Sequence, residues 1–495
     1  MTRLTRPELA TLLALFALSI AVLAGLLVRV WIHGGLVTGS DGYLVVDQLQ
    51  YLNWLRQAGH HVAVANLYDL APGPRSFVHP GVLISGLLNR VGLGLVASYM
   101  VWKIPAVAAL FAGSLLYVRR FGLGTATLVV ALFACSPVSA LVGWGHIGDA
   151  GTKFNFDFIG GELWPGTYLW GYMFTAVAVG LVPLGLLAYE RERLGWAAAA
   201  GLFASWLQPW QGATFAIVIV AAELLSRRRL RNLALPVTVT ALPLIYYLVL
   251  SRVDDSWKLA DSANDFARWP WWVTVLGLAP LALPAVFAYR LPARDFGSIA
   301  LRVWPIAALV IFYLPVGTFP FHAIQGMTLP LVVLAALAIR NHRVPVWAVA
   351  AAALLLIVPG TLYRADNIRD AVNKGFQPFF LTPSEHDALS YLDRQPDYGG
   401  VLAPVYSGLL VPAYTGRETW VGAGSWTPDF ESRRVLAEEL FAGKLSPVSA
   451  QRVVRESGAR FLYSDCHGRA DIARIVSGFT DGPRRFGCAT VYRVR

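Results

Sequence analysis

Residues 9–31 read LATLLALFALSIAVLAGLLVRVW, an apolar run interrupted only by Arg29 near its end. A helix needs roughly 20 apolar residues to cross a bilayer. The run is too long for the apolar part of a signal peptide, and no small-residue cleavage site follows it. It reads as a retained transmembrane helix, and the chain repeats the pattern. Of 495 residues, 56% are hydrophobic and 14% charged, against about 25% charged in soluble domains. A single soluble core cannot take up that much apolar sequence, but a bilayer can. Further candidate spans lie near 98–118, 124–143, 167–189, 195–208, 210–226, 232–250, 271–289, 299–317, 324–339 and 345–361. With 8–31 they make a polytopic α-helical membrane protein of about eleven transmembrane helices. The stretch 195–226 reads as a tight helix pair around Pro209. The stretch 80–97 fits either a further span or a helix lying in the membrane interface.

The charged loops order these spans. Alternate loops carry Arg3 and Arg6; Arg119 and Arg120; Arg191 and Arg193; Arg227, Arg228, Arg229 and Arg231; Arg290 and Arg294; Arg340 and Arg343. The loops between them hold acids: Asp41, Asp47 and Asp69; Asp149, Asp157 and Glu162; Asp254, Asp255, Asp261 and Asp265. The positive-inside rule assigns the arginine set, and the N-terminus with it, to the cytoplasm. An odd number of crossings then puts the C-terminus outside. A span at 80–97 would break the alternation, which favours the interfacial helix. The net charge of +11 is therefore a mark of topology. Nucleic-acid binding would need a basic face on a soluble element, and none is visible.

After Pro359 the composition changes sharply. The expected division is a transmembrane domain over 1–361, with a first outer loop at 32–97, and a small extracytoplasmic α/β domain over 362–495. In the latter, Ser384–Gln395 reads as a helix with an N-cap serine, and Asp429–Phe441, Pro447–Glu456 and Ala470–Val476 as helices. Gly400–Ala403, Arg460–Tyr463 and Thr490–Arg493 read as strands. Of three cysteines, Cys135 sits in an apolar run. Cys466 and Cys488 lie near two strands of the polar tail, so a disulfide is a candidate if the tail faces an oxidising compartment. Trp420, Trp426, Tyr414 and Tyr406 could form a sugar-stacking surface, though an aromatic cluster packed under a loop is the more common arrangement.

Chemistry is most legible in the first outer loop. It reads Asp41-Gly42-Tyr43, then Asp47-Gln48-Leu49-Gln50-Tyr51-Leu52-Asn53-Trp54-Leu55. Tyr51, Trp54 and Leu55 share a helical face with Asp47 and Leu44, as in a helix lying on the membrane surface. Arg75, His79 and Pro80 follow. An acid beside a cation at the membrane boundary suits reaction at a lipid-borne phosphate. The acid takes a proton from an attacking hydroxyl, and the cation stabilises the departing phosphate. An acid that merely caps or solvates the helix fits the spacing as well.

This order of features resembles the GT-C glycosyltransferase superfamily, especially the branch of protein O-mannosyltransferases and lipid A aminoarabinose transferases. That branch typically shows Asp-Glu-x-x-Tyr, a glycine, then Lys-Pro-Pro. The matching residues are Asp47, Gln48, Tyr51, Gly59, His79 and Pro80, with glutamine in place of the second acid and histidine in place of the lysine. The resemblance covers the membrane half of the chain. It implies a sugar moved from a polyprenyl-phosphate donor to an extracytoplasmic glycan, lipid or protein acceptor, with inversion at the anomeric carbon. It implies that Asp47 is the catalytic base, and that Arg75 or His79 contacts the donor phosphate. A divalent metal shared by adjacent carboxylates is less expected with Gln48 in that place.

The second outer loop adds His146, Asp149, Lys153, Asn155, Asp157, Glu162 and Trp164. Charged and aromatic residues between spans often line a cavity, and Asp149, Asp157 or Glu162 could supply a second carboxylate or a metal ligand. Each fits a solvated loop residue too. Gln208 and Gln211, at the tip of the helix pair, and His322 and Gln325, at a later outer turn, could line the same cavity or satisfy interrupted backbone. Asp41 and Tyr51 join this set. Two other classes remain. A transporter or lipid flippase would show internal repeats and midplane charges, and neither is evident. A non-catalytic scaffold with a receptor-like outer domain would explain Gln48.

Overall fold

The computed structural model describes residues 3–226, 229–314, 319–375, 377–468 and 470–495. Arg227 and Arg228 of the cationic loop, and the end of the expected span 299–317, lie outside the described residues. Among the described residues ten helices are long and apolar enough to cross a membrane, and Leu194–Leu207 is a shorter apolar helix. The chain is a multi-pass membrane protein. A helix is the natural spanning form because it satisfies every backbone polar group within the segment. The last span runs Val346–Lys374, straight through Pro359, so the helix outlasts the composition change at that proline. In the ambiguous stretch, Pro80–Leu88 is only nine residues, about 13 Å at 1.5 Å per residue and too short to cross. A new span then starts at Leu95.

The chain divides into two compact units. The first comprises Met1–Ala21, Trp102–Leu248 and Phe266–Asp370. Its helices approach at glycines. A Cβ on Gly113 would sit 2.4 Å from the Gly180 carbonyl oxygen, and one on Gly180 would sit 2.3 Å from the Ala109 backbone. Lys103–Arg120 and Met173–Glu190 therefore pack backbone to backbone, the small-residue contact that membrane helices use. One end of the unit gathers chain segments assigned to a common side. Arg119 forks onto Glu8 at 2.7 Å, and Arg120 bonds Glu190 at 2.6 Å and Asp295 at 2.9 Å.

The second unit comprises Val22–Val101, Val249–Asp265 and Ala371–Arg495. It holds a four-stranded sheet, ordered Val401–Leu402, Phe461–Ser464, Ala489–Arg493, Arg484–Phe486, parallel at the first pairing and antiparallel at the others. Leu402, Val421, Leu440, Val453, Leu462 and Tyr492 fill its core. Cys466 and Cys488 are joined by a disulfide, their Cα atoms 5.0 Å apart. Arg417 is 5% exposed and donates to the carbonyls of Leu392, Gln395, Asp397 and Gly399, pinning the chain after one helix. That helix is Pro383–Arg394. Its cap is Thr382, not a serine two residues on, because Glu385 closes a capping box with Thr382. The expected helix at Ala470–Val476 is a single turn, Ala473–Val476.

The segment 32–97 belongs to this unit. Leu36–Val37 pairs antiparallel with Phe380–Leu381. Arg56 bonds Asp393 at 2.5 Å, Arg433 bonds Asp69 at 2.9 Å, and the Tyr68 hydroxyl donates to the Leu409 carbonyl. Helix Val45–Ala58 packs against Pro80–Leu88, Leu95–Met100 and Val411–Thr415 and is buried around most of its circumference, Gln48, Asn53 and Gln57 included. It is a packed helix rather than one resting a single face on lipid. Two of its buried amides are well matched: Gln48 bonds Asp41, and Gln57 bonds both the N–H and the carbonyl of Ala65, which offsets the cost of burying them.

Candidate functional site

Two polar centres emerge, one in each unit. In the second unit, Asp47 sits in the first turn of Val45–Ala58, where unpaired N–H groups favour a carboxylate. It is half-buried. Burial, and then the Asp47 carboxylate, hold the hydroxyls of Tyr51 and Tyr68 above the ordinary tyrosine value. Asp41, just ahead of the helix, is fully buried. Gln48 meets it twice: Gln48 Nε2 donates to Asp41 Oδ1 at 2.9 Å, and the Asp41 N–H donates to Gln48 Oε1 at 3.1 Å. The geometry gives a reason for glutamine at this position. An amide can both donate to the carboxylate and accept from the backbone, whereas a glutamate would repel Asp41.

His79 is the N-cap of Pro80–Leu88 and is 5% exposed. Its Nδ1 accepts from the Val82 N–H at 3.3 Å, which assigns the neutral ring's proton to Nε2. The histidine thus has a structural duty at the start of that helix. Arg75 is exposed.

In the first unit, Glu162 ends helix Ala150–Leu163. A carboxylate at a helix C-terminus is disfavoured by the dipole, and this one is 5% exposed. His322 Nδ1 lies 2.9 Å from Glu162 Oε2, and Gln325 Nε2 lies 2.9 Å from the same nitrogen. Gln211 Nε2 donates to the carbonyls of both His322 and Gln325, at 2.9 and 3.0 Å, locking their turn. The Tyr168 hydroxyl donates to the Glu162 carbonyl and accepts from the Gly326 N–H. Thr328 Oγ1 donates to the Leu163 carbonyl. Four of the expected cavity residues, Glu162, Gln211, His322 and Gln325, are therefore one connected cluster. Tyr168 and Thr328 belong to it too; nothing in their spacing marks them.

The other expected residues stand apart from it. Gln208 bonds Thr175 at 3.4 Å. Asp149 caps Ala150–Leu163 through Thr152, whose hydrogen bonds hold its carboxyl below the usual range. Asp157 accepts from the Tyr363 hydroxyl at 3.0 Å and its carbonyl accepts from Arg364. Burial nevertheless holds its carboxyl above the usual range. His146 is exposed, in left-handed backbone. Among the described residues no three His, Cys, Asp or Glu side chains gather to hold a metal ion.

The aromatic residues of the C-terminal segment serve different ends. Trp420 is 9% exposed in the core, with the Arg433 guanidinium over its ring at 5.6 Å. The Tyr414 hydroxyl donates to the Thr38 carbonyl, and the Tyr406 ring lies against His467. Trp426 meets Trp54 at 5.4 Å and Trp257 at 5.1 Å, both edge to face. Trp257 escaped notice in the sequence because it lies far from both partners along the chain.

No protein-family model matches the sequence, and no curated protein matches it significantly. Solved structures do. The Archaeoglobus fulgidus oligosaccharyltransferase in complex with zinc and sulfate matches over 96% of this chain and 71% of its own, with TM-score 0.52 and 13% identity. The oligosaccharyltransferase AglB from the same organism, bound to an inhibitory peptide and a dolichol-phosphate, matches over 96% and 72%, with TM-score 0.53 and 12% identity. The mycobacterial arabinofuranosyltransferase AftD matches over all of this chain and 40% of its own, with TM-score 0.54 and 15% identity.

Proposed function

We propose that this chain, whose fold is that of the GT-C membrane glycosyltransferases, transfers a sugar from a polyprenyl-phosphate donor to an acceptor outside the cytoplasm. The observation that carries the proposal is the match over 96% of the chain to a transferase caught with a dolichol-phosphate. Asp47 takes the proton of the acceptor hydroxyl as its oxygen attacks the anomeric carbon. The bond to the phosphate breaks on the opposite face, so the anomeric configuration inverts. The transition state has oxocarbenium character, as in other glycosyl transfers. The His79 Nε2–H and the Arg75 guanidinium take up the charge that collects on the departing phosphate. Glu162, which holds His322 in the first unit, is the acid of the second loop that this reading favours for a role in transfer.

The arginine-rich loops are cytoplasmic in this reading, and residues 362–495 form the outer domain. The meeting of Arg119, Arg120, Glu8, Glu190 and Asp295 at one end supports a common side for those loops. The disulfide suits an oxidising compartment. Reporter fusions after Arg231 and Arg343 should therefore read cytoplasm, and a fusion at Arg495 should read outside. A cytoplasmic C-terminus would remove the outer domain and the outer site with it. Donor class is tested with purified protein offered labelled polyprenyl-phosphate sugar and, separately, nucleotide sugar. Turnover of the first alone is expected; turnover of the second alone would overturn the donor assignment.

A further inference from the structure

The second unit holds an aromatic platform that the transfer chemistry does not use. Trp54 lies on helix Val45–Ala58, two turns beyond Asp47 and so about 10 Å along its axis. Its ring meets Phe77 at 4.5 Å, Trp426 edge to face at 5.4 Å, and Trp257 stacked at 6.4 Å. Phe77 also meets Trp257 at 4.8 Å. The four rings come from three parts of the chain: the first outer loop, the third, and the C-terminal segment. Trp54 and Phe77 are 6% and 5% exposed and form the base. Trp257 and Trp426 are half-exposed and form the rim.

Hydrogen bonds set the rim in place. Asp254 Oδ1 caps the helix Asp255–Ala263 through the Trp257 N–H at 3.1 Å, while its Oδ2 accepts from Ser76 at 2.5 Å. Asn66 donates to the Trp426 carbonyl at 2.7 Å, and Ser425 bonds Asn264 at 3.4 Å. Exposed polar groups surround the rim: Asp255, Lys258 and Asp265 are exposed, Asn264 and Ser425 half-exposed. A core cluster would bury all its rings and need no such fringe. A cage for a cation needs rings around an empty centre, whereas these rings touch one another. What remains is a pair of partly exposed indoles set edge to face, fringed by carboxylate, amide and hydroxyl groups. A sugar ring fits that chemistry: its C–H face lies on indole and its hydroxyls bond the fringe.

We infer that Trp257 and Trp426 bind the acceptor, and that the acceptor is a glycan rather than a polypeptide. The inference rests on the transferase reading only in calling that glycan an acceptor. The platform stands on the helix that carries Asp47, so a glycan lying on it can run toward the carboxylate. Binding is separable from transfer and is measured without donor. Full-length protein in nanodiscs is titrated calorimetrically with soluble arabinofuranose and mannose oligosaccharides, and with an asparagine-containing peptide of similar mass. At least one oligosaccharide should bind and the peptide should not. Trp257→Ala and Trp426→Ala should each weaken that binding about tenfold, the loss of one aromatic contact and its buried area, while Trp257→Phe retains most of it. In transfer assays the alanine variants should raise the acceptor KM with little change in kcat or donor KM, a split that misfolding would not give. Peptide binding without oligosaccharide binding, or oligosaccharide binding indifferent to both alanines, overturns the inference. Donor turnover without acceptor is followed separately, so its absence would count against the transferase reading alone.

Discussion

Asp47→Asn should lower sugar transfer by roughly 10²–10⁴-fold, the usual contribution of a general base. Asparagine keeps the size of the side chain and most of its hydrogen bonding, but it cannot take a proton from the acceptor hydroxyl. The structural cost of the change is much smaller. Asp47 is half-buried in the first helical turn, where losing the charge costs about 0.3–1 kcal/mol of dipole interaction. The expected loss of transfer corresponds to about 3–5 kcal/mol at the transition state, so catalysis and stability are easily told apart. The measurement is transfer of labelled sugar in membranes with protein abundance followed alongside. Asp41→Asn is the informative neighbour. Its remaining Oδ1 still accepts from Gln48 Nε2, so the Gln48 contact survives and only the buried charge is lost. Near-normal transfer by Asp47→Asn at normal abundance would remove Asp47 from the site.

Glu162→Gln should lower transfer about tenfold to a hundredfold, the worth of one hydrogen bond to a charged group. The glutamine preserves packing, and Tyr168 still bonds the backbone carbonyl of residue 162. What disappears is the carboxylate that holds His322 Nδ1 at 2.9 Å. Asp149→Asn, in the same loop, should leave transfer within about twofold, because asparagine caps a helix as well as aspartate does. Initial rates across a range of donor concentrations check both. Normal rates for Glu162→Gln together with loss in Asp149→Asn would reverse the assignment of the second acid.

The membrane architecture was legible because a bilayer dictates composition directly: some 20 apolar residues per crossing, and cations on one side. The GT-C resemblance rested on a short motif around Asp47 and on helix order, and the fold matches that of a solved oligosaccharyltransferase over 96% of the chain. Local chemistry was partly legible. The Thr382-Pro383-Ser384-Glu385 run is a capping-box signature, yet the serine drew the reading away from the threonine that caps. The burial of Val45–Ala58 could not be read, because part of its cover lies hundreds of residues downstream: Val411–Thr415 packs against it and Asp393 bonds Arg56. Glu162 and His322, 160 residues apart, each looked like a solvated loop residue. Only the closing of Gln211 onto their turn makes them one cluster. The reciprocal Asp41–Gln48 bond explains the departure at Gln48 as a packing solution, where the sequence had left it as a lost acid.

The most direct test follows the donor itself. Purified protein is reconstituted in liposomes whose outer leaflet carries a polyprenyl-phosphate sugar labelled in the sugar, with acceptor glycan in the surrounding buffer. Label should move to the acceptor with the anomeric configuration inverted, free polyprenyl phosphate should appear in equal amount, and Asp47→Asn should abolish both. Intact labelled lipid crossing to the inner leaflet would instead mark a flippase. Donor left unconsumed at full protein occupancy would contradict glycosyl transfer outright.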